Sequence, residues 1–222
     1  MRYLLILVFI FFTGCSQKDK NAIVTEFGKE GVLNEQGQYA VKPIYDKVYL
    51  ADEYGYRKVQ RNGFYGMVDS EAKTVLPLNY DAIDPILDGQ VKLSENKKFG
   101  LTNKDKQIIV KPIYDSIFEI SDEAVAVKLN GTYGCMSSNG DLIVKTIYDN
   151  LFQANEDRAR FNINGKWGFV DNNCNVMIKP IYEYVNDYSN GYAKVKLNNK
   201  WSYINLEGDP IVRPIFENGK NF

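Results

Sequence analysis

The sequence predicts an all-β fold: a tandem array of six β-hairpin or meander units of about 34 residues each. Three observations predict it. A triplet centred on Tyr or Phe recurs as Ile44-Tyr45-Asp46, Asn79-Tyr80-Asp81, Ile113-Tyr114-Asp115, Ile147-Tyr148-Asp149, Ile181-Tyr182-Glu183 and Ile215-Phe216-Glu217, so the step is 35 once and 34 four times. An aromatic-small pair keeps the same step: Tyr65-Gly66, Phe99-Gly100, Tyr133-Gly134, Trp167-Gly168 and Trp201-Ser202, with Glu30-Gly31 in the first copy. The small residue always stands 14 positions before the aromatic of the triplet. Aromatics make up 14% of the chain, with sixteen Tyr and twelve Phe, a usage that favours strands.

Within a unit, the first segment alternates apolar residues with period two, as in Val125, Val127 and Leu129 or Ala193, Val195 and Leu197. That is the pattern of a half-buried strand. Asn-Gly or Asn-Asn pairs follow at Asn130-Gly131, Asn164-Gly165 and Asn198-Asn199; these residues tolerate the positive φ of tight hairpins. The second strand carries the aromatic-small pair. After a polar turn comes an apolar third strand, such as Leu142-Ile143-Val144, which runs into Pro43, Pro77, Pro112, Pro180 or Pro214, with Thr146 in the fourth copy. Proline cannot donate to a ladder and is expected to end pairing there. A lone aliphatic after each triplet (Val48, Ile83, Ile117, Leu151, Val185) marks either a short fourth strand or a packed loop.

Lys166-Trp167-Gly168-Phe169-Val170-Asp171 resembles the core motif of the WG repeat family, and Lys200-Trp201-Ser202-Tyr203-Ile204-Asn205 matches it apart from Ser202. Other copies put Tyr or Phe for Trp. The resemblance covers about residues 21–219 and implies architecture more than activity, since the role of such repeats in bacterial proteins is mostly undefined. One unit buries too little to fold alone, so neighbours must share a core. An open curved array is expected, with a closed small-bladed propeller as the alternative: 34 residues is short for a blade of about 40 to 50.

The chain opens with Arg2 and an apolar run from Tyr3 to Phe12, about half the length of a membrane-spanning helix but suited to a signal peptide. Phe12-Thr13-Gly14-Cys15 resembles the lipobox of bacterial lipoproteins. The resemblance implies cleavage after residue 14, a diacylglycerol on Cys15 and a membrane partner through that anchor. An ordinary secretory signal is the other reading. Residues 15–20 form a polar tether, and 21–222 the repeat domain. Ser16 rather than Asp after the cysteine implies the outer membrane; the Gln-Lys-Asp stretch that follows resembles a surface-export tag and serves equally as a tether.

Twenty-seven basic and 28 acidic residues leave no basic excess to condense on phosphates, so nucleic acid is not an expected partner. With no histidine, Ser-His-Asp and Cys-His catalysis and imidazole metal sites are excluded. No nucleophile elbow, dinucleotide loop or P-loop is present. No cofactor and no enzyme activity are expected. Cys135 and Cys174 could pair, but their spacing of 39 does not match the repeat, and buried free thiols are expected.

Two charge rows recur: Lys42, Lys111, Lys145, Lys179 and Arg213, and the acidic residue of each triplet. Turn capping by the carboxylates and pairing of the two rows are expected. Tyr65, Phe99, Tyr133, Trp167 and Trp201 are the candidate binding residues, with packing between repeats the stronger expectation and contact with a sugar or peptide the other. The expected function is a lipid-anchored envelope module binding a protein or glycan. The alternatives are a structural spacer and, more remotely, a carbohydrate-acting enzyme.

Overall fold

The computed structural model describes residues 21–217, so the leader, Cys15 and the tether lie outside the described residues. Six antiparallel sheets follow one another along the chain, and among the described residues none closes into a barrel. Sheet one holds β1 (Ala22–Glu26), β2 (Lys29–Leu33) and β3 (Tyr39–Tyr45). Sheet two holds β4 (Lys47–Ala51), β5 (Arg57–Arg61), β6 (Phe64–Val68) and β7 (Thr74–Tyr80). Sheet three holds β8 (Ala82–Pro85), β9 (Val91–Glu95), β10 (Lys98–Thr102) and β11 (Ile108–Tyr114). Sheet four holds β12 (Ser116–Glu119), β13 (Ala124–Leu129), β14 (Thr132–Ser137) and β15 (Leu142–Tyr148). Sheet five holds β16 (Asn150–Leu151), β17 (Ala159–Ile163), β18 (Lys166–Val170) and β19 (Val176–Tyr182). Sheet six holds β20 (Tyr184–Val185), β21 (Ala193–Leu197) and β22 (Lys200–Ile204). Each is a meander, and the protein is the tandem β array that the repeat predicts.

The lone aliphatic after each triplet lies on a strand. Val48, Ile83, Ile117, Leu151 and Val185 are buried on β4, β8, β12, β16 and β20. The folding unit is therefore offset from the sequence motif. It runs from the residue after one triplet to the aromatic of the next. The hairpin between the second and third strands of a full sheet has two consecutive positive-φ residues each time, for example Asn62-Gly63 (52° and 84°) and Asn164-Gly165 (51° and 72°). This is the twist that matches flanking strands.

Pairing does not end at the proline. Tyr65 pairs Tyr80 and Met67 pairs Leu76, so Gly66 alone faces Pro77, Leu78 and Asn79 in a bulge, and the strand runs on to the aromatic. The same shift recurs in sheets three to five. The last strand of sheets two to five lies at a sheet edge, where a missing N–H costs no ladder bond. The bulge explains the small residue. A Cβ on Gly168 would come within 2.9 Å of Lys179 C and Pro180 N, both backbone atoms that cannot swing aside. Ser202 stands at this position where the final strand is reduced to the bridges Trp201–Phe216 and Ile204–Pro210, and its hydroxyl donates to the Val212 carbonyl.

The turn before the last strand is held by one side chain per unit. Asp171 Oδ1 accepts from the Asn173 and Asn175 amides at 2.9 and 2.8 Å, and Asn34 and Asp69 do the same in their units. The Asp171-Asn172-Asn173 stretch is thus turn chemistry of the kind Asp and Asn favour.

The chain divides into two compact units, residues 1–83 and 84–222. In the first, Val32, Val41 and Tyr45 of sheet one share a core with Val48, Val59 and Val68 of sheet two. In the second, three such cores join successive sheets. Leu101, Val110 and Tyr114 meet Ile117, Val125 and Val127; Cys135 and Tyr148 meet Leu151, Ala159 and Phe161; Phe169, Ile178 and Tyr182 meet Val185, Tyr188 and Val195. Each core is built from two neighbouring units, so neither unit would bury it alone.

Cys135 and Cys174 form a disulfide with a Cα–Cα distance of 6.3 Å, against the expectation of free thiols. Cys135 sits mid-strand on β14, fully buried toward sheet five. Cys174 occupies the positive-φ position of the β18–β19 turn. That turn position faces the preceding sheet elsewhere too: a Cβ on Gly208 would meet the Ile178 side chain. A cross-link between neighbouring units joins different positions of the repeat, so a spacing of 39 is no obstacle.

Candidate functional site

The five aromatics lie on β6, β10, β14, β18 and β22, and all five are half-buried. Phe99, Tyr133 and Trp167 each pack on one side against the core their sheet shares with the next. The rest of each ring carries a cation from the neighbouring strand. Lys92 stands 5.5 Å from Phe99, Lys128 4.8 Å from Tyr133, and Lys58 5.4 Å from Tyr65. Arg160 lies between Phe152 (4.3 Å) and Trp167 (5.9 Å), and Lys194 stands 4.6 Å from Trp201. A second ring completes most of these groups: Tyr49 with Tyr65, Phe118 with Tyr133, Phe152 with Trp167 and Tyr184 with Trp201, at 6.5, 6.1, 6.0 and 5.6 Å. Ring and cation attract through the ring quadrupole, by about 0.5–1 kcal/mol where exposed.

In sheet five the group is closed. Asn162, with its amide turned to satisfy both neighbours, accepts from Trp167 Nε1 at 3.1 Å and donates to Asp149 at 3.2 Å. Arg160 Nε pairs with Asp187 at 2.9 Å, a carboxylate that follows β20 of sheet six. In sheet six the corresponding face opens into a concavity of about 570 Å3 lined by Glu183, Tyr184, Asn186, Lys194, Lys196 and Trp201. The cation row was readable, because Lys58, Lys92, Arg160 and Lys194 keep the repeat step, with Ala126 as the exception. It interleaves with the apolar residues of the same strand, whose period-two alternation is the stronger signal.

The acidic row caps turns. Asp46 accepts from the Asn62 amide at 2.6 Å and Asp115 from Asn130 at 2.8 Å, so each ties its own sheet to the next hairpin. Their lysine partners are Lys29 and Lys98, on β2 and β10, rather than the Lys42 row that was expected to pair with them. The hydrogen bond from the lysine, then that from the hairpin amide, holds each carboxyl below its ordinary pKa. Lys42, Lys111, Lys145 and Lys179 lie exposed on the last strand of sheets one, three, four and five. With the proline and the bulge, exposed lysine is a device that blunts a sheet edge against pairing with another chain. Beside them Ile113, Ile147 and Ile181 stay about half exposed, a rim of apolar residues that the recurrence of the triplet did not reveal as surface.

The family description "WG containing repeat" matches residues 31–63, 65–91, 99–133, 133–167 and 167–201. No curated protein matches the chain. Among solved structures, it is similar to PorZ, a surface component of the type-IX secretion system of Porphyromonas gingivalis, at 11% identity and a TM-score of 0.37, over 88% of this chain and 31% of that one. It is similar to a eukaryotic initiation factor at 9% identity and a TM-score of 0.42, over 89% and 63%. It is also similar to Kluyveromyces lactis Hsv2p at 10% identity and a TM-score of 0.36, over 85% and 72%. The chain spans about a third of the length of PorZ and under two thirds of that of the initiation factor.

Proposed function

This chain belongs to the family of proteins with WG-containing repeats, and on that premise we propose that it is a lipid-anchored binding module of the bacterial envelope. The anchor is Cys15; the working surface is the set of half-buried aromatic faces, whose ligand is a protein or a glycan. The observation that carries the reading is the open aromatic and cationic concavity of sheet six. A structural spacer has no use for such a face. The Cys135–Cys174 disulfide supports export, since disulfides persist in oxidising compartments and are rare in the cytosol. Ser16 after the lipid-bearing cysteine supports the outer membrane.

Metabolic labelling with a fatty acid tests the anchor. The chain is expected to take label and sediment with membranes, and Cys15→Ser to take none. Labelling that survives in Cys15→Ser would end the lipoprotein reading.

A further inference from the structure

We infer that the tips of the first two hairpins, carrying Phe27 and Phe64, dip into the bilayer that holds the lipid of Cys15, so that the first two sheets stand tip-down on the lipid surface. The inference rests on the lipid-anchor reading and adds a second, non-covalent contact to it.

Phe27 breaks the pattern of its own position. The other five copies open this hairpin with Asn62, Asn96, Asn130, Asn164 or Asn198, each at a φ of 51° or 52°. Phe27 holds the same conformation, at 51°. Asn tolerates the left-handed region, whereas a bulky ring there is an outlier that costs backbone energy. Packing returns nothing for it, because Phe27 is 96% exposed. Phe64 departs in the same direction. It stands where the other copies have Lys29, Lys98, Thr132, Lys166 and Lys200, and it is 46% exposed.

Both rings belong to one corner of the first compact unit. Asp46, just past the end of β3, pairs with Lys29, two residues beyond Phe27. The same carboxylate accepts from the amide of Asn62, two residues before Phe64, at 2.6 Å. Ile44, two residues before Asp46, is 45% exposed. Lys47 and Arg61 are exposed at the same corner, where Lys47 pairs Gln60 and Arg61 pairs Phe64. Bare apolar side chains flanked by cations suit a lipid surface: the rings enter the acyl boundary and the cations meet phosphates.

The anchor puts a bilayer within reach of this corner. The seven residue steps from Cys15 to Ala22 span at most about 25 Å. The five residues of β1 carry the chain about 17 Å from there to the tip. The tether is thus long enough to let the tip turn down onto the surface that holds the lipid, and too short to hold the first sheet far from it. A protein bound at Phe27 would have to fit into that same gap between sheet and headgroups.

The test uses the full lipidated protein in phosphatidylcholine nanodiscs, one chain per disc, with and without bromine near the top of the acyl chains. Phe27→Trp and Phe64→Trp put an indole at each tip. Gln36→Trp puts one in the β2–β3 turn, at the far end of the same sheet. Emission from Trp167 and Trp201 in the unchanged protein is subtracted. Each tip indole is expected to lie about 5–10 Å into the boundary of headgroups and acyl chains, to emit to the blue and to lose most of its emission to bromine. Gln36→Trp is expected to emit as in water and to lose none. Phe27→Asn, which restores the residue of the other copies, is expected to hold or raise the urea midpoint. Unquenched tips, equal quenching at position 36, or a marked fall in the Phe27→Asn midpoint would each overturn the inference. A blue tip emission that escapes bromine would put a second copy or another protein on the tip, and overturn it too. Fatty-acid labelling is read on the same protein: no label ends the anchor reading and this inference with it, whereas label with unquenched tips ends this inference alone.

Discussion

Reducing the Cys135–Cys174 disulfide is expected to destabilise residues 84–222 by about 4 kcal/mol. The bridge closes a loop spanning 39 residues. Restricting a loop of that length in the unfolded chain removes about 13 cal/mol/K, or about 4 kcal/mol at 25 °C. The bridge costs little elsewhere, because both sulfurs sit in a core already shared by sheets four and five. Comparing oxidised and reduced forms of one chain leaves core volume almost unchanged, so no cavity contribution is mixed in. The assay is urea unfolding followed by far-UV circular dichroism, with and without reductant. At a slope of about 2 kcal/mol per M, the midpoint falls by about 2 M on reduction. Coincident loss of fluorescence and dichroism in both forms verifies that one transition is being compared. Two results would refute the reasoning: native protein from an oxidising compartment whose Cys135 and Cys174 both alkylate without reductant, or a midpoint that reduction leaves in place.

Gly168→Ala is expected to cost about 1–3 kcal/mol or more by driving a methyl into the bulged backbone at Lys179 and Pro180, whereas Ser202→Gly loses only the hydroxyl's bond to Val212 and costs about 0.5–1.5 kcal/mol. Equal effects of the two would mean that the bulge does not demand glycine. Trp167→Ala, at a half-buried ring, is expected to cost about 2 kcal/mol, below the roughly 3 to 5 of a fully buried one. An unchanged melting temperature would show that the ring contributes nothing to the core between sheets five and six. The Asp115 carboxyl is depressed in the folded state, so its contribution is full above its unfolded value near 3.8 and is lost as pH falls through the folded pKa. Asp115→Asn should therefore lower the urea midpoint at pH 7 and shrink its further fall toward pH 3; the same pH dependence as the unchanged protein would place the acid sensitivity elsewhere.

Much of the fold was legible because a repeat states its own rules several times. The period, the strands and the Asn-Gly hairpins come from local chemistry, namely alternation against a shared face and tolerance of positive φ, and six copies average out local exceptions. The proline misled because its missing N–H forbids a ladder bond only where a partner strand exists. On β11 and β19 it faces outward from a sheet edge, and the strand continues to Tyr114 and Tyr182. The glycine beside each ring was visible as a recurrence; the backbone of the bulged last strand that approaches it was not.

The candidate site divides along the same line. The ring row and the acidic row were visible as spacings. Their partners were not, because Lys98 reaches Asp115 across a bulged pair of strands and Arg160 reaches Asp187 across two sheets. By itself the sequence determined the all-β tandem array, since alternation and turn propensity act over a few residues and repeat six times. Only the tertiary structure decided that Cys135 meets Cys174, that Arg160 is closed by Asp187, and that the Trp201 face opens into a concavity. Those outcomes depend on which position of one unit lies against which position of the next, and a period measured along the chain carries no information about the offset between stacked sheets.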